Sequence, residues 1–361
     1  MDETDRDQQH ETTMSSDANN SPFMAFLGRH DQSAWWSVVH NLTPSIHEVD
    51  RDATRIWFYF WPLWLRQLLR EAAFDPRLLE EIEFKGNARL EEQIDSSHAF
   101  VYGHRYWPQV KAAVAEHAAS QAAPESLDLT DQIRAVSRRL AAESRVEESL
   151  LLGITAIAFM TLQQVGPEAF AATPGALHIS DWARRRSAAR VLKDRARNDG
   201  GGLLGWLKGL KRDFTITFHE GFKTGRFKLI EGVQLTQASM TDQAEHPYAD
   251  SRCVPGEGPI PTECRSAACG TCWIGVLGGN ERLSPVQPLE GRRVKRFGYM
   301  NTDEARPIIR LACKARASGN VTIAVPPWNA IAGRYLEGKR IAIGGHGASP
   351  DEEILFRPRR H

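Results

Sequence analysis

The chain has 361 residues, 45 Lys and Arg balanced by 45 Asp and Glu, and a hydrophobic share of 42%. That length allows about two domains with cores of their own, and a formal charge of zero gives no overall field with which to attract a nucleic acid or a strongly charged partner. Five cysteines in so long a chain, with no leading segment that reads as a secretory signal, argue against a disulfide scaffold.

Residues 1–25 are polar and acidic without apolar periodicity and read as a disordered tail. Residues 26–198 read as an all-α domain. The segments at 52–74, 96–120, 130–165 and 180–197 lack strand-like alternation and are divided by Pro, Gly and Asp or Ser capping candidates. The aromatic run Ile56–Leu65 (IWFYFWPLWL) is too short to span a bilayer, which leaves a helical core broken at Pro62 or a contact with a membrane interface. LLLGITAIAFMTL (150–162) also falls short of a span and reads as a buried core helix.

His98, His104 and His117 raise the question of a second metal centre. A di-iron bundle needs a Glu-x-x-His pair on each of two helices, and the nearest match here is Asp95-x-x-His98, one half of such a motif. No C-x-x-C-H occurs for covalent haem. The basic stretch Arg184–Arg197 leads into a Gly-rich basic linker, 199–213, where Leu203, Leu207 and Leu210 share a helical face beside Trp206. This is either a solvated basic helix and joint or a peripheral membrane contact.

Beyond the linker the pattern changes. FTITF (214–218) alternates like a half-buried strand, WIGVLGG (273–279) reads as strand and turn, and RLACKARASGNVTIAVP (310–326) carries a cysteine, a Gly-Asn turn and a further strand. Within this part Cys264, Cys269 and Cys272 form C-x4-C-x2-C, with Cys313 far downstream. Four thiolates at this spacing are the plant-type ligand set of a [2Fe–2S] cluster. Small residues between them, Ser266 to Ala268 and then Gly270 and Thr271, let backbone N–H groups turn toward sulfur. Zinc sites instead pair two short knuckles, and only one is present. Cys253 has little but Arg252 near it to activate a thiol and reads as structural.

These residues, with EGVQLTQAS (231–239) and LSPVQPLEGRRVKRFG (283–298), resemble the plant-type ferredoxin family over residues 214–326. The resemblance implies a β-grasp fold with the cluster in a surface loop, Cys264 and Cys269 on one iron, and Cys272 and Cys313 on the other. Two departures are long insertions, one before Cys264 that contains Cys253 and one between Cys272 and Cys313.

The sequence contains no G-x-G-x-x-G after a strand, no Walker A motif and no G-x-S-x-G elbow, so the chain has no recognised means of binding a nicotinamide or flavin itself. Electrons must come from and go to partner proteins. Phe214–Ala330 carries 14 Lys and Arg against 11 Asp and Glu, which favours an acidic or neutral docking partner or a permanent apolar contact. The expected architecture is α+β: a helical domain, the linker, a [2Fe–2S] domain at 214–330 and a C-terminal extension at 331–361. The expected function is one-electron transfer in the cytoplasm, as a carrier or as the part of a multicomponent redox system that receives electrons. Two alternatives are a redox enzyme subunit with a second cofactor in the helical domain, and a cluster-based sensor.

Overall fold

A computed structural model describes residues 21–120, 128–177, 179–198, 212–242, 244–246, 250, 252–253, 256–298 and 305–331. The expected disordered tail of 1–25 lies outside these as far as residue 20, as do linker residues 199–211 and the extension from residue 332; residues 22–25 are helical instead, because Phe23 is buried in the core. The chain is α+β, with helices in its N-terminal part and most of its strands in the C-terminal part.

The N-terminal part opens with α1 (Pro22–Leu27), α2 (Gln32–Leu42), α3 (Glu48–Phe60) and α4 (Leu63–Phe74). Asp31 starts α2 by accepting the Ala34 N–H at 2.8 Å, which satisfies one of the orphan donors of the first turn. Pro62 separates α3 from α4, where the aromatic run turns inward: Trp57, Phe58, Phe60 and Trp61 are all buried. A strand, β1 (Glu83–Gly86), follows. It departs from the expected all-α reading. Its partner lies near the other end of the described chain, so no local pattern could announce it.

The expected helix over 96–120 forms only in its second half, as α5 (Trp107–Ser120). Residues 102 and 103 instead turn their N–H groups onto the buried Asp50 carboxylate at 2.6 and 2.8 Å, a tertiary contact that replaces helical hydrogen bonds. The expected helix over 130–165 is two, α6 (Leu129–Ser144) and α7 (Glu148–Val165), because Arg145 takes a left-handed conformation with φ of 54°. Of the described helices α7 alone is long and apolar enough to cross a membrane, and 78% of it is buried within the protein. It packs against α3, α5, α6 and α8 (Pro167–Ala172). Two short helices, α9 (Asp181–Arg184) and the basic α10 (Ala188–Ala196), end this part.

The C-terminal part contains β2 (Asp213–Thr217), β3 (Arg226–Ile230), α11 (Leu235–Thr241), β4 (Trp273–Gly278), α12 (Pro288–Arg296), β5 (Ile309–Leu311), β6 (Val321–Ala324) and β7 (Trp328–Ile331). Five strands form one mixed sheet in the order β3-β2-β6-β4-β5, with β2 and β6 parallel at its centre and the other pairs antiparallel. β7 leaves this sheet and pairs antiparallel with β1, setting Lys85 opposite Asn329.

One continuous set of buried apolar side chains runs through both parts, from Phe23 to Trp328. At the seam the Trp328 indole donates to the Phe60 carbonyl at 2.6 Å, and the Trp273 indole donates to the Trp328 carbonyl at 2.7 Å. Ile56 packs so closely on β4 that a Cβ at Gly275 would lie 2.5 Å from its Cγ2. Polar groups close the same seam. Arg195 makes a two-pronged contact with Glu220 at 2.9 and 2.6 Å, and Arg282 donates to the carbonyls of Ala196, Arg197 and Asn320, capping the end of α10.

Candidate metal centre

The four cysteines of the C-x4-C-x2-C…C pattern reach one place from two segments. Cys264 and Cys269 lie on the loop before β4, Cys272 immediately precedes that strand, and Cys313 follows β5, its antiparallel neighbour. The register Trp273↔Leu311 and the Ala312 N–H donated to the Cys272 carbonyl at 2.9 Å hold Cys272 and Cys313 together. Their thiols share a hydrogen bond, which pushes the Cys272 thiol well up and holds the Cys313 thiol down. Cys264 and Cys269 form the other contacting pair.

The loop is shaped around the Cys264 sulfur. Arg265, Ala267 and Gly270 have φ of 50°, 68° and 69°. Left-handed backbone at the two non-glycine residues is strained, and such strain persists where the surroundings over-determine it. The effect is to turn the N–H groups of Ser266, Ala268 and Cys269 onto Cys264 Sγ at 3.4, 3.2 and 3.3 Å. Burial pushes the Cys264 thiol up, but hydrogen bonds from Ser266 and Cys269 outweigh it and bring it down to about 6. Burial raises the Cys269 thiol, partly offset by Thr271. Cys264 and Cys269 are half-buried, whereas Cys272 and Cys313 are 3% and 0% exposed.

Beneath the loop lies a rigid frame. Glu290 and Arg310 form an ion pair at 0% exposure, with bonds of 2.7 and 3.0 Å, and Glu290 also accepts the Leu311 N–H at 3.0 Å. This ties α12 to the strand that delivers Cys313. At the rim Thr271 Oγ1 donates to Glu263 Oε2 at 2.9 Å, and Lys85 of β1 pairs with Glu263 Oε1. Glu263 is marked in the sequence only as the neighbour of Cys264, and Lys85 has no local signal.

The remaining candidates stay apart from this site. Cys253 is half-buried and its thiol is pushed up to about 12, chiefly by burial and then by Asp250, which makes it unreactive. His98 and His104 do meet, Nδ1 to Nδ1 at 2.8 Å, but that hydrogen bond engages the ring nitrogens that face each other. His117 lies elsewhere, against Gln132 Oε1 at 2.8 Å. Asp95 is occupied by Trp107 Nε1, Thr173 Oγ1 and the Gly175 N–H. Among the described residues no group of three or more His, Cys, Asp or Glu side chains is gathered to hold a single metal ion.

Compared with known proteins, the chain matches no family model, no curated protein and no solved structure.

Proposed function

We propose that this chain is an iron–sulfur electron-transfer protein in which Cys264, Cys269, Cys272 and Cys313 hold a plant-type [2Fe–2S] cluster within a β-grasp domain. The observation that carries the reading is that four cysteines from two segments come together in pairs: the Cys269 N–H reaches Cys264 Sγ at 3.3 Å, and the Ala312 N–H beside Cys313 bonds the Cys272 carbonyl at 2.9 Å. Two irons need two thiolates each, whereas one zinc ion would need its ligands gathered round a single point. The strand order, with its parallel central pair, supports the β-grasp assignment.

When bound, such a cluster supplies one-electron redox chemistry, for this ligand type at a potential of about −400 mV. The chain's own residues do the rest. The three N–H groups on Cys264 Sγ stabilise negative charge on sulfur, the buried Cys272 and Cys313 keep water from the inner side, and the half-exposed Cys264 and Cys269 face the solvent where a redox protein can approach. The helical part serves as a fixed support for this centre, joined to it through the contacts of Phe60 with Trp273 and Trp328. Thiolate ligation fits a reducing cytoplasm, and electron donor and acceptor proteins are the partners.

Anaerobic purification with iron and sulfide quantification, followed by a redox titration monitored by EPR, tests the reading. Two irons, two sulfides and a rhombic signal on reduction are expected. Cys269→Ser and Cys313→Ser should lose or badly destabilise the centre, and Cys253→Ser should retain it. Stoichiometric zinc in place of iron, or loss of iron from Cys253→Ser, would sink the assignment.

A further inference from the structure

We propose, resting on the cluster reading above, that Lys85 of the helical part sets the reduction potential of the iron–sulfur centre by neutralising Glu263 at its rim. Lys85 lies on β1, where pairing with Asn329 fixes its position, and it forms an ion pair with Glu263. Glu263 directly precedes Cys264 and accepts at 2.9 Å the hydroxyl of Thr271, which lies between Cys269 and Cys272 in the loop. A single carboxylate therefore touches the loop next to three of the four cysteines.

Glu263 is one residue from Cys264 and is bonded to Thr271, the neighbour of Cys272, so its charge lies beside the proposed ligands. Lys85 is the cation paired with that carboxylate. Each electron added to the site increases its negative charge, so the lysine favours the reduced form and the glutamate opposes it. The side chains are 37% and 41% exposed, and a pair so open to solvent contributes little to folding. Its effect belongs to the redox equilibrium.

The test is a potentiometric titration of the iron-loaded full chain as wild type, Lys85→Gln, Lys85→Arg, Glu263→Gln and the Lys85→Gln/Glu263→Gln double variant, with iron counted in each. At a fixed applied potential Lys85→Gln should lower the ratio of reduced to oxidised protein about tenfold, equivalent to about 59 mV for one electron. Glu263→Gln should raise it by a similar factor, the double variant should return within about threefold of wild type, and Lys85→Arg should stay near wild type. Added salt should shrink each shift. Both single variants moving the same way, no movement with two irons bound, or loss of iron from Lys85→Gln would overturn the proposal and leave Lys85 a structural role. Absence of iron from the wild type would instead defeat the cluster reading on which it rests.

Discussion

The cysteine loop and the frame beneath it are held by opposite means. From Cys264 to Gly270 the backbone is strained, its side chains are largely half-buried or exposed, and its N–H groups converge on one sulfur. The frame of β4, β5, α12 and α3 has Ile56 packed onto Gly275, Trp273 wedged between Phe60 and Trp328, and an ion pair sealed from water. The loop cannot be a source of stability, since each non-glycine residue in left-handed backbone costs about 1–2 kcal/mol. Its shape is imposed at both ends by packing. Variants in the frame should therefore affect the whole fold whether or not the thiols are ligated, and variants in the loop should act mainly on the site.

The largest effect is expected at Glu290→Gln. The change leaves the Arg310 guanidinium at 0% exposure without a counter-charge, and breaking a buried pair in this way costs about 3–5 kcal/mol. Denaturant unfolding measures it. A loss below about 1 kcal/mol would show that water reaches the pair, and the contrast between a dry frame and a wet loop would fail.

Asp50 sharpens the same contrast through pH. Its carboxyl, fully enclosed at the seam, is pushed up from 3.8 to about 6, mainly by burial and against the pull of the Gly103 and Tyr102 N–H groups. The fold favours the protonated form. That contribution is fully present below about pH 4 and is lost as pH rises through about 6, an effect of up to about 3 kcal/mol. Relative to Asp50→Asn, the wild type should lose stability by that amount between pH 4 and 7. Parallel stability curves for the two proteins would refute the shift.

A smaller change is expected from Gly275→Ala. The added Cβ would lie 2.5 Å from Ile56 Cγ2, and overpacking of this kind costs about 1–3 kcal/mol. Made in an Ile56→Ala background, which removes Cγ2, Gly275→Ala should recover part of the loss. Failure to recover it would mean that α3 and β4 are not in direct contact.

The C-x4-C-x2-C run was the most legible feature of the sequence because its spacing is a local property, whereas the approach of Cys313 depends on the pairing of β4 with β5. The strand over 214–218 was legible from its alternation and that over 273–279 from its short apolar run, whereas α12 falls within the segment 283–298 that only the family resemblance marks. What the sequence concealed was set by distant contacts. Nothing in EFKG (83–86) announces a strand whose partner begins at Trp328, and nothing near Tyr102 shows that Asp50 will take its N–H. The break between α6 and α7 falls at Arg145, a residue type that seldom adopts left-handed backbone, so the usual Gly or Pro marker is missing. The same limit hid Lys85, whose place at the rim depends on that unannounced strand.

Ala267→Gly offers the smallest and most specific test of how loop and frame divide their roles. Ala267 has φ of 68° and is 1% exposed. Glycine relieves the left-handed strain of about 1–2 kcal/mol but adds freedom to the unfolded chain worth about 0.4–1 kcal/mol, and a buried methyl is lost as well. These terms nearly cancel, so global stability should change by less than about 1 kcal/mol in unfolding experiments. The loop itself should loosen, because the strain is what aims the Ala268 and Cys269 N–H groups at Cys264 Sγ. Amide exchange at those two positions should therefore accelerate while exchange in β4 stays unchanged. Equal acceleration in both would mean that the loop and the frame unfold as one unit, and the division drawn between them would not hold.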